Sequence, residues 1–378
     1  MEREELGDWL RLALTPGVGN SAARKLLAAF GLPTQIFSQG REALTQVVSA
    51  NQADALRKEP ADLAAHLDIA WEWLADGAAT APRHVLTLAD AAYPPALLQT
   101  EDPPLLLYAI GTVPAPWPAG IAVVGSRNPT PQGRTNALRF GRALAEAGLT
   151  VVSGLALGID TAAHEGALEG AAPGQLATVA VVGTGLDRVY PSSNLALAHR
   201  IAERGLLLSE YALGTPALPE NFPKRNRLIA GLGLGTLVVE AALKSGSLIT
   251  ARLASEQGKD VFAVPGSIHS TQARGCHALL KQGAKLVETA QDVLEELRWQ
   301  APVPANAPAN APDDAEPSAA APESALLAAL GFDPVGLDAL VARTGIPASQ
   351  LQVQLLEFEL AGEVSRLPGG LFQRMGTA

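Results

Sequence analysis

Cysteine is almost absent from this sequence, and its scarcity excludes two kinds of protein. Cys276 is the only cysteine among 378 residues, so no disulfide can form within the chain and no all-thiolate metal site can be built. Both exclusions fit a reducing environment, and we expect a cytoplasmic protein. The glycine motifs that bind dinucleotides and triphosphates are also missing, and we expect neither a cofactor nor a metal ion.

Long hydrophobic runs are missing as well. No apolar run approaches the ~20 residues that cross a bilayer, and residues 1–5 are charged, so we expect no membrane span and no signal peptide. Hydrophobic residues nevertheless make up 48% of the chain, which excludes wholesale disorder. A chain of 378 residues is long enough for two or three domains.

Positive charge is in deficit overall, with a formal net charge of -10, but the deficit is uneven. Residues 105–290 carry 16 Lys/Arg and 12 Asp/Glu, whereas residues 1–104 carry 8 and 14, and residues 291–378 carry 4 and 12. A basic middle between acidic ends predicts that any site for a polyanion lies in the middle.

Residues 1–80 predict an all-α domain, because apolar positions recur at helical spacing over 6–14, 22–30 and 63–74. A Gly-x-Gly turn, Gly17-Val18-Gly19, separates the first two helices and is typical of a helix-hairpin-helix motif, whose backbone N–H groups approach a phosphate. A plain αα-corner also needs glycine. We prefer the corner, because the segment is acidic and the hairpin has few cations.

Residues 81–299 alternate between short apolar runs and longer helical stretches. The predicted strands are 105–110, 121–125, 150–154, 177–183, 206–209, 236–240, 261–266 and 285–287. This alternation predicts an α/β domain with a parallel sheet covered on both faces, whose ligands bind at the carboxyl ends of the strands. We interpret residues 78–104 as a connector.

Glycine, serine and cations cluster at these strand ends. Gly125, Ser126 and Arg127 offer close backbone approach, a hydroxyl and a guanidinium fork for phosphate, although a simple turn would use the same glycine. The run 244–247 opens a helix whose N–H groups would form an anion pocket. The loop after Gly154 carries two candidates for acid–base chemistry, Asp160 and His164; we prefer a helix cap and a histidine packed under the loop.

A compact cationic cluster follows a later strand. Its residues are Phe222, Pro223, Lys224, Arg225, Asn226 and Arg227. The cluster indicates a site for an anionic ligand with a flat ring, and the alternative is a solvated helix start with its charges in water. Considered with the other strand ends, it predicts one wall of a pocket that faces Arg127 and the helix start near Ser247.

The C-terminal part of the chain predicts a spacer and a small module. Residues 300–324 are rich in Ala and Pro and cannot bury a core, so we expect a linker. Residues 325–378 predict three helices and a β-hairpin, which together make a winged helix. Its candidate recognition helix contains Glu357 and Glu359 but no Lys or Arg. We therefore favour a protein-contact or dimerisation module over duplex DNA binding.

The ordered motifs of the middle region resemble the bacterial DNA-processing protein A (DprA/Smf) family. The matching stretches are 121–127 (IAVVGSR), 152–164 (VSGLALGIDTAAH), 190–191 (YP), 208–211 (LSEY), 222–232 (FPKRNRLIAGL), 238–250 (VVEAALKSGSLIT) and 261–267 (VFAVPGS). The resemblance implies an extended Rossmann-like core, a helix-hairpin-helix/SAM-like N-terminal domain and a winged-helix module.

The resemblance also implies a function. Such proteins bind incoming single-stranded DNA, protect it and help to load a RecA-type recombinase during natural transformation, usually as homodimers and without catalysis. Carried onto this chain, the DNA-binding residues would be Gly125, Ser126, Arg127, Gly154, Phe222, Lys224, Arg225, Asn226, Arg227, Lys244, Ser245, Gly246 and Ser247. One alternative remains. The glycine-rich stretch 231–235 with Glu240 also resembles nucleoside-monophosphate phosphoribohydrolases, for which Glu240 and Arg127 are the candidate catalytic residues.

Overall fold

A computed structural model describes residues 1–76, 79–300 and 324–375. The N-terminal part is helical, as predicted. Its helices are α1 (Arg3–Leu14), α2 (Asn20–Phe30), α3 (Pro33–Phe37), α4 (Arg41–Thr45), α5 (Ala50–Leu56) and α6 (Leu63–Ala75). Trp9 on α1 and Trp73 on α6 share a buried apolar cluster with the central sheet, and the Trp73 ring meets the Tyr108 ring edge-on at 6.0 Å between centroids. The helical part therefore packs directly against the sheet.

The central part forms a nine-stranded sheet. Its strands are β1 (Arg83–Thr87), β2 (Leu106–Gly111), β3 (Gly120–Val124), β4 (Thr150–Ser153), β5 (Thr178–Val181), β6 (Leu206–Ser209), β7 (Gly235–Val238), β8 (Asp260–Ala263) and β9 (Lys285–Leu286). Their spatial order is β1-β2-β6-β5-β4-β3-β7-β8-β9. In this spatial order, every pair of neighbouring strands from β6 through β5, β4, β3, β7 and β8 to β9 is parallel, as the alternation of apolar runs and helical stretches predicts.

Helices cover both faces of this sheet. They are α7 (Pro95–Leu98), α8 (Pro131–Glu146), α9 (Ile159–Gly170), α10 (Leu195–Arg204), α11 (Asn221–Leu232), α12 (Ser247–Glu256), α13 (Arg274–Lys281) and α14 (Ala290–Glu296). Two apolar clusters hold the layers together. Side chains of the same strand alternate between them: Ile121 and Val123 of β3 join one cluster, and Ala122 and Val124 join the other.

Two details of this domain correct the sequence interpretation. The supposed connector 78–104 contains strand β1 and helix α7, and β1 extends the sheet by pairing with β2. Only the last three residues of this strand are buried, and the polar residues Arg83 and His84 at its start obscure the apolar pattern in the sequence. In addition, β2 runs antiparallel to both of its neighbours rather than parallel. The predicted linker 300–324 lies almost entirely outside the described residues.

The C-terminal part has the predicted winged-helix elements. Its elements are α15 (Ala325–Leu330), β10 (Val335–Gly336), α16 (Leu337–Thr344), α17 (Ala348–Leu360), β11 (Val364–Leu367) and β12 (Leu371–Arg374). The three strands pair in the order β10-β12-β11 around an apolar cluster that includes Leu340, Leu351 and Phe372. Throughout the described ranges, every helix is too short or too polar to span a membrane.

Candidate nucleic-acid interface

A cavity of about 620 Å³ opens at the carboxyl ends of β3 and β7. The chain continues from β3 toward β6 on one side and from β7 toward β9 on the other, so the cavity lies at the point where the strand order reverses. Most of the predicted DNA-binding residues line it. These are Gly125, Ser126, Arg127, Phe222, Arg225, Asn226, Lys244, Ser245, Gly246 and Ser247.

The loop after β3 is held rigidly by backbone contacts. The Ser126 N–H donates to the Glu240 carbonyl oxygen at 2.7 Å, and the Ser126 hydroxyl accepts from the Asn128 N–H at 3.1 Å. A Cβ at Gly125 would lie 2.6 Å from the Ile159 side chain and 2.8 Å from the Glu240 carbonyl oxygen, so only glycine fits. This packing leaves Arg127 exposed at the rim of the cavity.

The loop after β7 supplies the opposite rim. Ser247 begins α12, and its N–H donates to the Ser245 hydroxyl at 3.3 Å. The Asn226 side chain reaches across from α11 and donates to the Gly246 carbonyl at 3.3 Å. Lys244 and Gly246 are exposed. A lysine beside the positive end of a ten-residue helix makes this rim attractive to a phosphate.

Arg225 lies at the bottom of the cavity, with only 4% of its surface exposed. Its Nη1 donates to the carbonyl oxygen of Gly154 at 2.8 Å and to that of Val181. The Asp160 carboxylate is near enough to stabilise the guanidinium, but burial dominates and lowers the pKa of Arg225 to about 10. Arg225 thus joins the ends of β4 and β5 to α11.

Arg227 and Lys224 do not line the cavity. The Arg227 guanidinium is paired with the Glu210 carboxylate, and its Nη1 donates to the Asp102 carbonyl. Burial raises the pKa of Glu210, while Arg227 and the exposed Lys224 oppose that shift. The cationic cluster therefore divides between the cavity and the contacts that hold α11 in place.

The aromatic rings of Phe222 and Tyr190 lie next to each other, beside the exposed guanidinium of Arg127. The Phe222 ring lies 5.5 Å from the Tyr190 ring, centroid to centroid, with 36° between their planes. The Arg127 guanidinium carbon lies 5.6 Å from the Phe222 centroid, within reach of a cation–π interaction. Tyr190 lines the cavity and is 49% exposed. The sequence interpretation gave Tyr190 no role, although the Tyr190-Pro191 pair was one of the family motifs.

Asp160 and His164 do not form the acid–base pair considered from the sequence. The Asp160 carboxylate accepts from the N–H groups of Gly154 and Ala156 at 3.1 and 3.3 Å, and burial raises its pKa. His164 is fully buried and bridges the Thr178 hydroxyl and the Leu155 N–H. The preferred interpretation of His164, packing under the loop, is confirmed. Asp160 lies inside α9, which has Gly158 at its N-cap, so the predicted cap is wrong.

Gly154 also belongs to this packed layer. A Cβ there would collide with the Arg225 guanidinium and lie 2.7 Å from the Asp160 carboxylate. Gly154 does not itself line the cavity. We call the lining residues Gly125, Asp160 and Arg225, together with Gly154 and His164 packed behind them, the floor of the cavity. We call the exposed residues above them, Arg127, Tyr190, Lys244 and Gly246, its mouth.

Glu240, a candidate in the enzymatic alternative, is turned away from the cavity. Its carboxylate accepts from the Thr130 N–H at 2.8 Å and from the Thr130 hydroxyl at 2.9 Å, and burial raises its pKa. Thr130 caps the start of α8. Both carboxylate oxygens are therefore used in positioning a helix.

Gln272 is a further lining residue that the sequence interpretation missed. Its side chain lies 3.4 Å from the Ser126 hydroxyl and donates to the Asn128 carbonyl at 3.2 Å. It follows β8 in a stretch without a recognisable motif, so only the folded chain brings it to this site. Throughout the described ranges, no group of His, Cys, Asp and Glu side chains is arranged to hold a metal ion.

Known families and relatives match the chain over most of its length. The model of DNA recombination-mediator protein A matches residues 84–298, and the DprA winged helix domain matches residues 310–370. Protein Smf from Escherichia coli is 43% identical over 295 residues, which cover 76% of this chain and 77% of that protein. DNA processing protein DprA from Streptococcus pneumoniae is 46% identical over 213 residues, covering 56% of this chain and 74% of that protein.

Two solved structures share the fold. The X-ray structure of DNA processing protein A from Streptococcus pneumoniae superposes with a TM-score of 0.64 at 36% identity and covers 78% of this chain and 98% of that one. DNA processing protein A from Helicobacter pylori, reported with its single-stranded DNA binding mode, superposes with a TM-score of 0.51 at 33% identity and covers 57% and 96%.

Proposed function

The chain belongs to the DprA/Smf family of DNA-processing proteins, and from that premise we propose that it binds single-stranded DNA in the cavity at the ends of β3 and β7. The observation that carries the proposal is the composition of the mouth. Two exposed cations, Arg127 and Lys244, stand beside an exposed ring and a helix N-terminus. Cations that follow a backbone and rings that stack bases are the two elements of single-strand binding.

The geometry favours a strand over a free nucleotide. Arg127 and Lys244 come from different loops of the cavity, so each is placed to contact its own phosphate. The cavity of about 620 Å³ is open to solvent, so it does not enclose a ligand as a nucleotide-binding pocket would. Contacts to phosphates carry no sequence information, and we therefore expect binding that tolerates any sequence.

The protein acts by binding and without catalysis in this proposal. The Glu240 carboxylate is bonded to Thr130 through both oxygens, and His164 is fully buried beneath the loop after β4. Asp160 does line the cavity, but its carboxylate already accepts from the Gly154 and Ala156 N–H groups. We therefore assign none of these groups the role of a general base. Their contacts support a role in shaping the site.

Family membership also motivates a proposal for the wider role. We propose that the bound strand is protected in the cytoplasm and passed to a RecA-type recombinase by a homodimer, with the acidic winged-helix module serving protein contacts. A direct assay is the assembly of recombinase on single strands already covered by a single-strand-binding protein. The protein should accelerate that assembly, and a rate equal to that without the protein would refute the loading role.

Single-strand binding itself is tested by a gel-shift titration with a 40-nucleotide single strand and the matching duplex. We expect clear preference for the single strand and an affinity that falls steeply with salt. Replacing Arg127 with alanine should weaken binding about tenfold and reduce the salt slope by about one, because one phosphate contact is lost.

The matched control is Arg200→Ala. Arg200 is an exposed arginine on α10 that does not line the cavity, so its removal changes the net charge equally. It should leave the affinity within about twofold. Equal binding to duplex and single strand, or equal losses in both variants, would overturn the proposed site.

A further inference from the structure

Tyr190 is the most available ring beside the cavity. Among the Phe, Trp and Tyr side chains in the described part of residues 1–300, Tyr190 alone is exposed, at 49% of its surface. The other rings of this region are wholly or partly buried, as Phe140 and Phe262 are within the core. A ring that remains half exposed at the mouth of a polar cavity offers a flat apolar face to a ligand.

The hydroxyl of Tyr190 does not explain its position. Two other tyrosines of the same domain are anchored by theirs: Tyr93 donates to the Pro104 carbonyl at 2.8 Å, and Tyr211 donates to the Asn221 carbonyl at 3.0 Å. Within the described residues, the Tyr190 hydroxyl has no such partner. The ring of Tyr190, and not its hydroxyl, is therefore the group that the site presents.

Phe222 is placed to support this ring. The Arg127 guanidinium lies over it at 5.6 Å and Tyr190 lies against it at 5.5 Å, both measured to ring centroids. A Cβ on Gly183 would lie 3.0 Å from the Phe222 ring, so backbone also closes in on Phe222. Phe222 is only partly exposed, and Arg127 and Tyr190 already lie against its ring.

We propose that Tyr190 is the residue on which a DNA base stacks, with Phe222 as the support that orients both Tyr190 and Arg127. The inference rests on the proposed single-strand binding and names the ligand more narrowly. The site takes a strand whose base is unstacked from its neighbours and lies on Tyr190, while a flanking phosphate meets Arg127. Duplex DNA cannot meet this requirement, because its bases are enclosed by their own stack.

The test compares the full-length protein with Tyr190→Ala and Tyr190→Phe, using a normal 20-nucleotide single strand and a strand of equal length made entirely of abasic sites. Tyr190→Ala should bind the normal strand about tenfold more weakly with an unchanged salt slope, and Tyr190→Phe should bind like the wild type. On the abasic strand, wild type and Tyr190→Ala should bind equally, because no base remains to stack.

The possible outcomes distinguish a failure of base stacking on Tyr190 from a failure of the proposed single-strand binding. If the wild type binds no single strand, the proposed function fails. If the wild type binds but Tyr190→Ala binds both strands as well as the wild type does, the stacking role fails alone. An equal loss on the normal and abasic strands would also overturn it, since the ring would then act without a base. Phe332→Ala, which removes an exposed ring of the winged-helix part, should bind like the wild type.

Discussion

At the mouth of the cavity Arg127 is exposed and forms no ion pair within the described residues, whereas at the floor Arg225 is buried beneath it and donates to two strand-end carbonyls. The two arginines line the same cavity. One is available to a ligand, and the other is already committed to the fold. An arginine at such a site therefore indicates a phosphate contact only when its guanidinium is not already bonded to other groups of the protein.

The floor and the mouth also differ in how they treat charge. The floor buries Arg225, Asp160 and His164, and burial lowers the pKa of Arg225 and His164 and raises that of Asp160, which favours the neutral form of each group. The mouth keeps its cations in solvent, where salt screens their attraction for a phosphate. We therefore expect the floor to determine whether the domain folds and the mouth to determine how tightly the proposed strand binds.

The largest predicted effect tests the floor. Arg225→Met should lower the free energy of unfolding by about 3–5 kcal/mol, because it leaves two carbonyls without a donor and the Asp160 carboxylate without a counter-charge. Chemical denaturation followed by circular dichroism measures the change. Arg127→Ala is the matched control at the mouth and should change stability by less than about 0.5 kcal/mol.

A stable Arg225→Met protein that merely loses DNA affinity would contradict the division between floor and mouth. It would indicate that Arg225 reaches a phosphate after all, as the cationic cluster alone suggested. Arg225→Lys refines the test. It keeps the charge but loses the planar fork, so it should recover only part of the lost stability.

A smaller effect comes from pH. Burial lowers the pKa of His164 to about 3 from the 6.5 of an exposed imidazole. Between these values the unfolded chain binds a proton that the folded chain does not. The free energy of unfolding therefore decreases as pH falls below 6.5, and His164 alone should account for about 2 kcal/mol between pH 7 and pH 5.

The variant His164→Gln isolates this contribution. It should be less stable than the wild type at pH 7, but its further loss between pH 7 and pH 5 should be smaller by about 2 kcal/mol. Denaturant titrations at both pH values measure the two losses. Equal losses in the two proteins would show that His164 is not held neutral by the floor.

Much of the division between the floor and the mouth of the cavity could not be predicted from the sequence. The pattern of apolar runs predicted the strands from β2 to β9 and so brought Arg127 and Lys244 to one edge of the sheet. It could not distinguish Arg225 from Arg227, because both stand in one run of charges and only helix geometry turns one toward the strand ends and the other toward Glu210. The strand β1 was missed because Arg83 and His84 conceal its apolar half.

Tyr190 is a second residue whose surroundings could not be predicted from the sequence. A lone tyrosine after a turn carries no periodic signal, and its meaning depends on the neighbours that the fold supplies. Phe222 lies in a different element and meets Tyr190 only in the folded chain. Both residues stand in family motifs, yet the motifs could not indicate which of the two rings remains exposed.

The smallest predicted effect compares two glycines of the cavity. A Cβ at Gly246 in the mouth meets nothing within 4 Å, whereas a Cβ at Gly125 in the floor would collide with Ile159. Gly246→Ala should therefore leave stability unchanged or raise it by up to about 1 kcal/mol. It should weaken single-strand binding only about threefold, since the methyl group partly fills the space of a phosphate beside α12.

Gly125→Ala should affect stability more than binding. It should lower the free energy of unfolding by about 1–3 kcal/mol, and the protein that folds should bind the single strand with a comparatively small change in affinity. Thermal denaturation and fluorescence anisotropy of a labelled single strand on both variants measure the two quantities. The opposite result, in which Gly246→Ala destabilises the protein and Gly125→Ala does not, would contradict the division. It would show that tight backbone packing extends to the mouth, which would then be part of the core and not a binding surface.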